Sequence, residues 1–182
     1  MSDVPEFAAA SPLLAGAYRF AREAHHGERR TDDTDVDHPV EVAALLHDAG
    51  FDEDVVAAAL LHDVVEDSTT DIAEIRERFG AAVADLVADM TEDESIEPYD
   101  ERKAAHRDQV RAAGRDTAAI FAADKLVNVR AMRASAEPAD TAKLDHYERT
   151  LATLSAEHPD LSFLDALAHQ LRALRPRGER AG

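Results

Sequence analysis

The 182-residue chain carries 20 lysines and arginines against 38 aspartates and glutamates, a formal net charge of −18, with 45% hydrophobic residues and no cysteine. That balance opposes attraction to nucleic-acid backbones and anionic membranes, and the length suits one domain that buries its own core. Without cysteine there is no disulfide framework, thiolate zinc site or thiol nucleophile, so any metal must sit on nitrogen and oxygen. Met1-Ser2-Asp3-Val4-Pro5-Glu6 has no basic stretch ahead of an apolar one, and no run nears the roughly 20 apolar residues of a membrane span, so a soluble, cytoplasmic protein is expected.

The dominant period is helical and no strand alternation persists, which predicts an all-α, single-domain helical bundle over residues 11–175, with tails at 1–10 and 176–182. Ser11-Pro12 supplies an N-cap and a first-turn proline, and Leu13, Ala17, Phe20, Ala21 and Ala24 mark an apolar stripe ending near Gly27. Glu28 to Asp37 reads as a polar loop. Pro39 opens a second helix through Val40, Val42, Ala43 and Leu46 that Gly50 closes, and Asp52 caps a third running from Glu53 to Val65. Regularity is lost around Asp67-Ser68-Thr69. Thr70 or Asp71 starts the next helix, Gly80 breaks it, and Val83, Leu86 and Val87 continue the apolar face. After an acidic loop from Thr91 to Asp100, helices are expected over 101–113, 116–134 and 139–156, with a last one beginning after Pro159.

The most informative stretch is His62-Asp63-Val64-Val65-Glu66-Asp67, directly after the apolar run Val55-Val56-Ala57-Ala58-Ala59-Leu60-Leu61. On a continuous helix, His62 and Glu66 share a face, as do Asp63 with Glu66 and Asp63 with Asp67. Carboxylates crowded beside a core run stay ionised only if paired, solvated or bound to a cation, and a divalent metal meets that need. Adjacent His62 and Asp63 cannot surround an ion alone. His38, before Pro39, and Asp124, inside the otherwise apolar Ile120-Phe121-Ala122-Ala123 helix, are the candidate further ligands. Two imidazoles and two carboxylates suit Mn²⁺ first and Fe²⁺ or Zn²⁺ next. His25, His26, His47, His106, His158 and His169 lack such a carboxylate cluster and are read as structural or solvent-facing.

In order along the chain, His38-Pro39, Ala58-Ala59-Leu60-Leu61-His62-Asp63-Val64-Val65-Glu66-Asp67 and Asp124-Lys125-Leu126-Val127-Asn128-Val129-Arg130 resemble the HD-domain hydrolases of the RelA/SpoT-homologue group, nearest the small single-domain alarmone hydrolases. The resemblance implies an HD-type bundle that removes the 3′-pyrophosphate of guanosine tetra- or pentaphosphate, usually with Mn²⁺. It implies His38, His62, Asp63 and Asp124 as metal ligands and Glu66 and Asp67 as the catalytic acidic pair. Arg30, Lys125, Asn128 and Tyr147 are implied nucleotide contacts. With no synthetase-like domain following, degradation without synthesis is expected.

Glu28, Thr31 and Asp35 depart from the family pattern, where glutamine, lysine and tyrosine are usual. They motivate a second reading, an HD-type phosphohydrolase of an adenosine-based alarmone or of the NADPH 2′-phosphate. A third, a noncatalytic nucleotide-sensing module, is disfavoured by the retention of Glu66 and Asp67. Each reading expects a small phosphorylated nucleotide as partner and excludes nucleic acid and membrane.

Overall fold

The computed structural model describes residues 4–26, 37–135 and 138–175, and the described elements are helical, with no strand among them. The chain divides into two compact units, Met1–Glu94 and Ser95–Gly182.

The first unit contains α1 (Glu6–Ala9), α2 (Pro12–His26), α3 (Asp37–Asp48), α4 (Glu53–Leu61), α5 (Val64–Asp67), α6 (Ile72–Phe79) and α7 (Ala81–Met90). α4 is its axis, because every residue from Val55 to Leu61 is buried and a helix apolar all round must be wrapped by others. α2, α3 and α7 do the wrapping. Starts and stops follow the backbone chemistry. Ser11 Oγ accepts a hydrogen bond from the Leu14 amide at 3.3 Å and donates one to Glu53 Oε2 at 2.9 Å, so one hydroxyl caps α2 and ties it to the start of α4. Asp71 Oδ1 accepts from the Glu74 amide at 2.8 Å to cap α6. Gly50 (φ 80°) and Gly80 (φ 91°) end α3 and α6 in the left-handed region that favours glycine. Ser11→Ala is expected to cost about 1 kcal/mol, read as a lower midpoint in urea unfolding with an unchanged slope.

Two expectations are modified. Asp52 occupies the N-cap position of α4 with an extended backbone, but its side chain makes no capping bond. The third helix does not run to Val65. It ends at Leu61; Asp63 moves to φ −90° and ψ −10°, and the one-turn α5 follows. The apolar pair Val64-Val65 continues the periodicity across this break, which is why spacing alone gives an unbroken helix.

The second unit contains α8 (Tyr99–Ala113), α9 (Arg115–Ala134), α10 (Thr141–Glu157) and α11 (Leu164–Leu174). α9 is buried from Thr117 to Val127 and again at Val129, with α8, α10 and α11 packed around it. Val129, Leu144, Tyr147, Leu167 and Leu171 form one core cluster there. No described helix is long and apolar enough to cross a membrane.

Candidate metal centre

Three of the four expected ligands belong to the first unit, where His62 lies against both His38 and Asp63. His38 is the second residue of α3, followed by a buried Pro39, whose missing amide costs nothing in a first helical turn. Its ring centroid lies 5.6 Å from that of His62, at 54° between planes. His62 is 4% exposed, and its Nδ1 stands 2.8 Å from the Ala59 carbonyl oxygen. A carbonyl can only accept, so Nδ1 carries the proton; in the neutral ring Nε2 then presents a lone pair. That Nε2 is 3.1 Å from Asp63 Oδ1. A lone pair and a carboxylate oxygen attract only through a shared proton or cation. The 3.1 Å spacing is one at which the two groups could share such a cation.

The break between α4 and α5 falls at His62 and Asp63, and the acidic pair lies on the turn that follows. His62 is buried and Asp63 half-buried, whereas Glu66 and Asp67 on α5 are exposed. Glu66 Oε1 accepts a hydrogen bond from the Glu92 amide at 2.7 Å, which fixes its carboxylate. No sequence pattern announces this contact, because Glu92 follows α7 and lies far from Glu66 along the chain.

In the second unit Asp124 is buried in α9, as expected. Oδ2 accepts from Lys125 Nζ at 2.5 Å and Oδ1 from Asn128 Nδ2 at 2.7 Å. Both residues are expected nucleotide contacts; here they bond the Asp124 carboxylate. Tyr147, the third, is buried in the core cluster of its unit, and burial pushes its phenol up to about 12, with Lys125 opposing and Asp124 reinforcing the rise. Because the folded-state value exceeds the ordinary value of 10.0, this group's stabilising contribution is complete below about pH 10 and is lost as pH climbs toward 12. A spectrophotometric titration is expected to show one late-ionising tyrosine that Tyr147→Phe removes. Arg30, together with Glu28, Thr31 and Asp35, lies outside the described residues.

Of the histidines read as structural, His47 is exposed beside Asp48 and stacks on Phe7, and His106 is buried edge-on against Phe121 at 4.9 Å. One buried histidine escapes the sequence reading. His146, 3% exposed, takes Arg107 Nη1 at 2.7 Å on its Nδ1. Its signal is the spacing to Thr150 and Leu154, which places it on the buried stripe of α10.

The chain belongs to the HD domain family, whose model matches residues 17–156. Among its relatives it is 38% identical over 120 residues to the guanosine-3′,5′-bis(diphosphate) 3′-pyrophosphohydrolase of Aquifex aeolicus, covering 64% of this chain and 17% of that protein. It is 40% identical over 126 residues to the human enzyme of the same name, MESH1, covering 66% of this chain and 69% of the relative. A solved metazoan orthologue of SpoT that hydrolyses ppGpp superposes with a TM-score of 0.75 at 26% identity, covering 91% of this chain and 98% of the other. The structure of lmo0812 from Listeria monocytogenes EGD-e superposes at 0.69 with 32% identity, covering 79% and 99%.

Proposed function

We propose that this chain is one HD domain that hydrolyses (p)ppGpp at its 3′-pyrophosphate, giving GDP or GTP and pyrophosphate, with Mn²⁺ held by His38, His62, Asp63 and Asp124. The observation that carries the reading is the His38–His62–Asp63 corner, where a proton-fixed imidazole faces a carboxylate at cation-sharing distance next to two further acids. Relatives named as 3′-pyrophosphohydrolases at 36–40% identity support the substrate. The mixed nitrogen and carboxylate donor set supports manganese over a softer metal.

A divalent cation held by these residues would supply Lewis-acid chemistry, making a water more acidic and offsetting phosphoryl charge. The chain's own residues do the rest. The Ala59 carbonyl holds His62 in the tautomer that ligates through Nε2. Glu66, anchored at Oε1 by the Glu92 amide, takes a proton from the attacking water, and Asp67 passes a proton to the departing ribose oxygen. Arg30 supplies positive charge for the substrate phosphates, in a chain whose distant carboxylates are screened beyond about 8 Å at physiological salt.

A nucleotide panel with and without Mn²⁺ tests the reading. Pyrophosphate release from ppGpp that requires Mn²⁺ is expected. Phosphate release from NADPH, with ppGpp untouched, would transfer the assignment to the second reading, and no turnover of any nucleotide would leave a sensing module.

A further inference from the structure

Lys125 is the natural candidate for a phosphate contact, being one of three lysines in an acidic chain, yet its surroundings assign it elsewhere. Its side chain is 10% exposed. Nζ lies 4.3 Å from the centroid of the Phe121 ring and 5.6 Å from that of Tyr147, so two aromatic faces hold the ammonium by cation–π attraction, which strengthens on desolvation. Its charge is directed onto Asp124 Oδ2 at 2.5 Å, while Asn128 Nδ2, one turn further along α9, takes Oδ1 at 2.7 Å. Each carboxylate oxygen thus has a donor from its own helix.

We infer that Lys125 is a positioning residue for the cation site: seated between Phe121 and Tyr147 and acting with Asn128, it fixes the plane in which the Asp124 carboxylate meets a divalent ion. The inference rests on the reading of Asp124 as a ligand and deepens it. The charge of a lysine so placed is spent on the carboxylate and the two rings. Its removal has two opposing effects. Losing a positive charge draws a cation toward Asp124, while losing the fixed orientation leaves a buried carboxylate to turn toward other donors. Orientation dominates, because partners of a metal-binding side chain typically contribute about 10–100-fold in affinity.

The test is Mn²⁺ binding by the whole chain, followed by titration calorimetry, together with kcat and KM for ppGpp at saturating Mn²⁺. Lys125→Met keeps the apolar stem and is expected to weaken Mn²⁺ binding by about 10–100-fold while KM at saturating metal stays within a few-fold of the parent. Phe121→Leu removes one aromatic face without touching the charge and is expected to weaken binding in the same direction by a smaller factor, so the inference stays testable if Lys125→Met does not fold. Parental or tighter Mn²⁺ affinity with a strongly raised KM would make Lys125 a substrate contact and overturn the inference. A parent chain that binds no Mn²⁺ and turns over no ppGpp would instead overturn the reading of the site itself.

Discussion

Asp63→Asn is expected to abolish retention of the metal and reduce turnover to background. An asparagine is nearly the same shape but offers a divalent cation a neutral amide oxygen in place of a charged one, at the position 3.1 Å from His62 Nε2. The fold is expected to survive. Asp63 is 31% exposed, and the Ala59 carbonyl still anchors His62 through Nδ1. Far-ultraviolet circular dichroism like that of the parent, with no bound Mn²⁺ after dialysis, is the predicted pair of results. Parental Mn²⁺ affinity in this variant would remove Asp63 from the ligand set.

Glu66→Gln is expected to behave in the opposite way, retaining the metal while kcat falls by about 10²–10⁴-fold, the usual contribution of a positioned acid or base. The amide oxygen of glutamine can still accept from the Glu92 amide, so the anchor made at 2.7 Å persists and only proton acceptance is lost. KM at saturating Mn²⁺ is expected to stay close to the parent's. If kcat instead remained within a few-fold, Glu66 would be excluded as the base and the role would pass to Asp67.

Much of this arrangement is legible in the sequence, and the parts that are not have a common cause. The helix limits set by Ser11, Gly50, Asp71 and Gly80 are local chemistry, written where it acts. The burial of His62 and Asp124 is also legible, because both stand in or directly after apolar runs, where polar groups are costly without a partner. The break between α4 and α5 is not, since Val64 and Val65 suit a continuing helix as well as a restarted one. Contacts between distant segments are equally silent. The Glu92 amide on Glu66 and the Arg107 guanidinium on His146 join residues whose spacing carries no period. Lys125 shows a subtler limit: a motif names the residue, but the ring faces of Phe121 and Tyr147 decide where its charge goes.

Binding stoichiometry tests the central proposal, that His38, His62, Asp63 and Asp124 serve one divalent ion. Equilibrium dialysis against Mn²⁺ is predicted to give one ion per chain for the parent and for Glu66→Gln, and none, at the same free Mn²⁺, for His38→Ala and for Asp124→Asn alike. Retention of that ion by Asp124→Asn at the parent's affinity would contradict the account.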